Sequence, residues 1–340
     1  MSDAVFSTIE RGLSAIESDD LEGAQQALEQ ALSLGSEDHV GVLHLTGMLA
    51  WASGDLESAS GYLMQAVDQR PNRPEVYLDC ADLLLSTGHE LDLAEATIRS
   101  MFSVAGDDGK KKAEGQLLLA QIRLEDDDPE EALEILEEVD PAEREHPSHL
   151  STRGAVLLAL DRAAEAASAL EEALRAEPED PDLYYQLGVS RHSQGESAKA
   201  IDAMLKVLEL DRTDLECEDP SYAEGQRLRA TLEEVMEDLP NPVLSLIASA
   251  PIIVQSLPTV DQVRAGADPR GAVSFDPGVD DDPGDPTDRP QLGRIIIMRS
   301  QVLEQADDDD DVPEVLLMEL LAEVRRFFSI EHLSVANVEA

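Results

Sequence analysis

The feature that most constrains this chain is an internal repeat. Pro147 to Asp180 (PSHLSTRGAVLLALDRAAEAASALEEALRAEPED) and Pro181 to Asp214 (PDLYYQLGVSRHSQGESAKAIDAMLKVLELDRTD) align without a gap. The alignment sets Gly154 on Gly188, Ala166 on Ala200, Leu170 on Met204 and Ala173 on Val207. The register extends backward. Gly47, Gly54, Ala59, Leu63, Ala66 and Pro71 fall at the same offsets in a segment starting at Val40. A segment from Ala113 gives Ala120, Asp127, Ala132, Leu136 and Val139, and one from Pro74 gives Gly88, Ala94, Ile98 and Met101 with a short insertion near His89 to Leu91. An N-terminal unit carries Asp20, Leu21, Ala24, Leu28 and Ala31. A fixed period of this length is the mark of a repeat architecture.

Within each unit the pattern reads as two antiparallel helices. The first carries apolar residues at helical spacing and one small residue (Gly47, Ala81, Ala120, Gly154 or Gly188) that lets the second helix approach closely. Gly54, Gly88, Asp127, Asp161 and Gly195 break the chain between the helices. The second helix sets Ala, a large apolar residue and Ala on one face. A single hairpin cannot bury such a face alone, so the units must stack as a solenoid.

On these residues, about 5–214 resembles the tetratricopeptide repeat in six units. Tyr77 and Tyr184 stand at the aromatic position of the motif, where Leu43 and Leu150 depart from it. The resemblance implies a protein-interaction scaffold with no chemistry of its own. It also implies a partner-binding groove lined by the first helices: His44, Met48 and Trp51; Leu78, Asp82 and Leu85; Leu117, Gln121 and Leu124; Tyr185, Val189 and His192. This set has no Lys or Arg, so it does not fit the clamping of a partner's terminal carboxylate. It suits an apolar or cationic segment of a protein or peptide partner. The plainer reading of Trp51, Met48 and the leucines is packing between repeats, because apolar stripes at helical spacing form cores. Lys110 to Lys112 is a short basic run, read as a solvated linker rather than an anion site.

Composition narrows the classes further. The chain has 340 residues, with 25 Lys plus Arg against 73 Asp plus Glu, a formal charge of −48. Nucleic-acid binding needs clustered cations, and an anionic membrane surface attracts them, so both are excluded as expected partners. Apolar residues at 42% supply a core, while aromatics at 3% are too few for a β-sandwich. A high-salt interior and plain solubility both account for the acidity. Two cysteines, Cys80 and Cys217, make no disulfide framework. The N-terminus lacks a basic region followed by an apolar run, and no stretch is long enough to span a bilayer, so a cytoplasmic setting is expected.

After Asp214 the periodicity ends. Ser221 to Asp238 reads as a helix, Ala250 to Pro258 (APIIVQSLP) contains a β-branched strand, Val279 to Pro290 is an Asp/Pro/Gly loop, and Gly293 to Met298 is a second strand. The acidic run Asp307 to Asp311 lacks the Gly and Glu of a calcium loop, since Val312 and Met318 stand there. A final helix runs over about 312–328. In order and spacing, residues 221–335 resemble a small bacterial family of minimal zinc-metallopeptidase-like (zincin-like) domains. The matching parts are a helix ending in LP, APIIVQSLP, a GADPRGAVSFDPG turn, a GRIIIMRSQVLE strand and a C-terminal helix. The resemblance implies a His-Glu-x-x-His helix with a third ligand. Ala322 stands at the first His, Glu323 at the Glu, Arg326 at the second His, Ser329 at the Gly and His332 at the third-ligand place. Two of three ligands are missing, and a permanent cation at Arg326 opposes Zn²⁺. No metal, no cofactor and no catalytic residue are expected; Glu323 reads as an exposed helix carboxylate paired with Arg326.

The fold class expected is mainly α: a helical-hairpin solenoid over 5–214 followed by a small α+β domain over 221–340. The function expected is an interaction scaffold with a pseudo-metallopeptidase tail. The alternatives are a metal-dependent peptidase using Glu323 and His332, and an autoinhibited scaffold whose C-terminal elements fill the groove.

Overall fold

The computed structural model describes residues 3–34, 37–88, 90–214, 220–237, 239–277, 291–306 and 309–328. The expected 279–290 loop, Asp307, Asp308, Ser329 and His332 lie outside these residues. Two compact units divide between Glu177 and Pro178.

The first unit is a stack of five helical hairpins. They are α1 (Asp3–Glu17) with α2 (Leu21–Leu34), α3 (Val40–Ala52) with α4 (Leu56–Asp68), α5 (Pro74–Thr87) with α6 (Leu91–Val104), α7 (Gly109–Glu125) with α8 (Pro129–Glu137), and α9 (Pro147–Ala159) with α10 (Ala163–Ala176). Each first helix packs on the next, α1 on α3 through α7 on α9, whereas each second helix packs on its own partner and α2, α4, α6 and α8 also pack on the following first helix. The first helices are therefore the inner row. Local chemistry sets the starts: Asp55, Asp108 and Asp128 accept N-cap bonds from Ser58, Lys111 and Glu131, and proline opens α5, α8 and α9. The breaks fall where expected. Gly54 and Gly88 adopt φ +80° and +67°, and Asp127 and Asp161 adopt +59° and +57°.

Hairpin cores follow the small-to-large pairing. A Cβ on Gly47 would stand 2.7 Å from Leu63 Cγ, and one on Gly154 would stand 2.7 Å from Leu170 Cδ2. Ala81 and Ala120 are fully buried at the equivalent places. Leu63, Ile98, Leu136 and Leu170 are buried opposite them.

The second unit opens with the sixth hairpin, α11 (Pro181–Ser193) and α12 (Ser197–Asp214). It continues with α13 (Tyr222–Glu237), α14 (Asn241–Ile247), β1 (Ile252–Gln255), α15 (Val260–Arg264), β2 (Val273–Pro277), β3 (Leu292–Met298), α16 (Arg299–Gln305) and α17 (Val312–Phe328). The sheet order is β1-β3-β2, with β1 parallel and β2 antiparallel to β3. Helices α13 and α17 pack together, α13 also on β1 and α17 on β2, around a core that includes Leu232, Ile247, Ile295, Ile297, Leu316 and Leu320. The repeat pattern thus ends at Asp214 while the compact unit begins at Pro178, because α12 packs on α15.

Two expectations for this region change. Val273–Pro277, read as part of a turn, is a strand, since Val273 and Phe275 both bury on the core. Arg299–Gln305, read as the continuation of a strand, is a helix: the β-branched run stops at Ile297 and helix-forming Gln, Leu and Glu follow.

Candidate partner-binding groove

In the first unit the second place of the repeats that start at Pro74 and Ala113 sets Glu75 and Glu114 three residues before Leu78 and Leu117 on α5 and α7. Met48, Trp51, Leu85, Leu117, Gln121 and Leu124 are half-buried, and Asp82 is exposed. These side chains combine apolar contact area with access to solvent. Leu78 is buried and belongs to the core of its hairpin. His44, expected in the lining, is only 1% exposed. Its Nε2 lies 2.6 Å from Asp79 Oδ2, the imidazole N–H donating to the carboxylate of the next inner helix. It is a buried link between repeats.

The electrostatics of this face are acidic. Although Asp82 is exposed as a residue, desolvation of its carboxyl by the surrounding protein, and then the neighbouring Asp79, raise that carboxyl above its ordinary value. An ammonium group is drawn in at Lys111, whose Nζ donates to Glu114 Oε2 at 2.8 Å. Burial opposes its charge. The Glu114 bond and the fields of Glu114, Glu75 and Asp79 outweigh that and hold it above an ordinary lysine. Lys111 sits in the first turn of α7, so the basic run is part of a helix rather than a linker. Beside this face a cavity of about 280 Å³ is lined by Lys110, Glu114, Leu117, Val139, His146 and His149, among others. His149 is buried, and its Nε2–H donates to the Leu136 carbonyl at 3.3 Å; burial lowers its pKa. Glu75, Asp79 and Glu114 are not among the groove residues expected from the sequence. Glu75 and Glu114 were legible as a recurring carboxylate at the second place of the repeat.

In the second unit Tyr185 and Val189 are half-buried and His192 is exposed. Tyr185 is already engaged. Its hydroxyl donates to Asp268 Oδ2 at 2.8 Å, and the Arg270 guanidinium lies 5.3 Å from its ring centroid. Burial, then Asp268, raise the phenol above its ordinary value.

Of the positions matched to the metallopeptidase-like helix, Ala322, Glu323 and Arg326 lie on α17. Ala322 is exposed. Glu323 is 7% exposed, not the exposed carboxylate expected. Its Oε1 accepts the Phe275 N–H at 2.8 Å and Arg326 Nη2 at 2.6 Å, and its Oε2 accepts Arg326 Nε at 2.6 Å. One turn earlier, Glu319 Oε2 accepts the Ala272 N–H at 2.8 Å. The two carboxylates thus cap the outer edge of β2, and Glu323 has both oxygens engaged. Among the described residues no three His, Cys, Asp or Glu side chains cluster as a metal site, and no helix is long and apolar enough to cross a membrane.

Stacked hairpins with a small-to-large seam and an inner row of first helices define a repeat-type scaffold. The tetratricopeptide repeat family matches residues 9–74 and 152–214, so over those two segments the chain is similar to that repeat. No curated protein matches the chain. Among solved structures it is similar to PilW, a widely conserved type IV pilus biogenesis factor, at 11% identity and TM-score 0.52, over 62% of this chain and 94% of that one. It is also similar to a chain of the APC/C hetero-tetramer Cut9–Hcn1, at 13% identity and TM-score 0.50, over 61% of this chain and 40% of that one. At these identities the likeness is one of fold.

Proposed function

We propose that the chain is an interaction scaffold whose inner helix row receives an apolar protein segment carrying positive charge. The observation that supports this most is the pairing of Trp51, Met48, Leu85 and Leu117, half-buried and accessible, with Glu75, Asp79, Asp82 and Glu114 on the same row of helices. The Lys111 ammonium beside these carboxylates is already neutralised by Glu114. A partner's Lys or Arg gains charge complementarity there, which favours association rate and register. The test is capture from lysate by the full chain against a Trp51→Ala/Asp82→Lys variant, followed by synthetic peptides of the captured segments. Equal capture of the same partners by both chains would refute the assignment.

The C-terminal domain is read as a metallopeptidase-like module without catalysis. Glu323 commits both oxygens, Oε1 to Phe275 and Arg326 and Oε2 to Arg326, which supports a structural role over that of a general base. The competing reading, a peptidase using Glu323 and His332, requires one zinc per chain that is lost on His332→Ala. Metal analysis of the purified chain decides between them.

A further inference from the structure

The loop between α15 and β2 places one arginine into a complete guanidinium receptor. Arg270 Nε and Nη2 donate to Asp211 Oδ2 and Oδ1 at 2.8 and 3.0 Å, a fork-to-fork pair with α12. Its Nη1 donates to Asp182 Oδ1 at 2.6 Å, and its guanidinium lies over the Tyr185 ring of α11. Bidentate pairing, a further carboxylate and an aromatic face together select arginine over lysine, whose point charge uses neither the fork nor the stacking plane. α11 presents its half of the receptor by local geometry. Asp180 caps the helix through the Asp182 and Leu183 N–H groups, and Pro181 begins it, so Asp182 and Tyr185 fall three residues apart on one face.

Besides the Arg270 side chain and the Tyr185 hydroxyl on Asp268, the loop is held by bonds that do not involve α11 or α12. Gln301 Nε2 donates to the Pro269 carbonyl, Gln305 Nε2 to the Arg270 carbonyl, and Arg326 Nη1 to the Gly266 carbonyl; the Arg270 N–H bonds to Asp268 Oδ1. None of these bonds uses the Arg270 side chain. The site opens to solvent on the Asp182 side, where that side chain is 71% exposed, while Asp211 at its base is 14% exposed and Arg270 29%. Asp182 occupies the same place in its repeat as Glu75 and Glu114. In that earlier pair the cation held is Lys111, on Glu114; in the last repeat it is Arg270.

We propose that Asp182, Tyr185 and Asp211 form an arginine-binding site for a partner segment, and that the chain's own Arg270 occupies it as an internal competitor. This rests on the scaffold reading and names the chemistry its last repeat selects: an arginine-bearing turn of a protein or peptide.

The test uses the full chain and a fluorescein-labelled peptide of the chain's own sequence AGADPRGAV, with an Arg→Lys peptide as control, read by fluorescence anisotropy at low salt. The Arg270→Ala chain is expected to bind the arginine peptide at least tenfold more tightly than the parent chain. That gain is lost in Arg270→Ala/Asp182→Asn/Asp211→Asn, with the lysine peptide and at high salt. Arg270→Lys, which keeps the charge and stem but not the fork, is expected to fall between; it serves as the vacated receptor if circular dichroism shows Arg270→Ala unfolded. Equal binding to the parent and vacated chains, or no binding to either, overturns the proposal. So does sedimentation showing that the parent loop seats on a second copy of the chain. Trp51→Ala/Asp82→Lys is measured in parallel against peptides from captured partners. Loss of the expected groove effect with a retained Arg270 effect refutes the groove assignment alone, and the reverse refutes the arginine site alone.

Discussion

Single residues decide whether a hairpin closes. Gly154 has no Cβ because Leu170 Cδ2 would lie 2.7 Å from it. Replacing Gly154 by Val is expected to lower unfolding stability by roughly 1–3 kcal/mol, the usual cost of overpacking a tight core. Urea melts followed by circular dichroism measure it, and an unchanged midpoint refutes the close-approach role. The breaks behave alike: Gly195 at φ +74° and Asp161 at +57° adopt the left-handed region, which glycine enters freely and aspartate tolerates. Both kinds of position are legible in the sequence because their constraint is local or repeats with the period. His44 is not: its partner, Asp79, stands 35 residues away, and the same spacing that suggests a groove residue fits a buried one. Cys80 is a further case, its thiol pushed up to about 12 by burial first and then by Asp79. Nothing local in its sequence marks that.

Between elements, the telling contact is α17 against β2. An edge strand exposes unpaired N–H groups, which invite pairing with another chain. Glu319 and Glu323, one turn apart, accept those of Ala272 and Phe275, so the helix closes the edge. Glu323→Ala leaves a buried N–H unmet and Arg326 without its carboxylate. It is expected to cost about 1–3 kcal/mol and to promote association, read by chemical denaturation and light scattering. Stability and light scattering unchanged from the parent would refute the capping role. Glu319 carries a pH signature. Burial raises its carboxyl above the ordinary 4.5, ahead of the opposing bonds from Ala272 and Val273. A folded-state value above the unfolded one means the contribution is full below about 4.5 and is lost as pH rises through the folded value. Glu319→Gln is therefore expected to raise the melting temperature near pH 7 and to change little near pH 4. An equal effect at both values would rule out ionisation as the cause. The sequence marks the carboxylates but not this use, since β2 itself reads as a turn until Phe275 is seen to pack on Phe327 at 5.6 Å.

Across the molecule as a whole, a formal charge of −48 sets the electrostatics. Self-repulsion among so many carboxylates is relieved by screening. The melting temperature is expected to rise with added KCl, and a fall would mean that the exposed ion pairs outweigh the repulsion. The six hairpins can be read along the chain, with the small residue and the break of all but the first, where Asp19 at φ +56° is not singled out, because a repeat imposes the same local packing problem in each unit and answers it with the same residue types. So can β1, β3 and the last helix, whose apolar runs are continuous. Which acidic side chains face a cation is settled instead by packing in three dimensions. Arg270 meets Asp182 across 88 residues of chain and Asp211 across 59, and Glu323 meets Phe275 across 48. Such pairs carry no period and no spacing rule. They exist only once separate elements have packed, which is why Glu323 reads as an exposed helix carboxylate in the sequence and is buried on the Phe275 N–H in the fold.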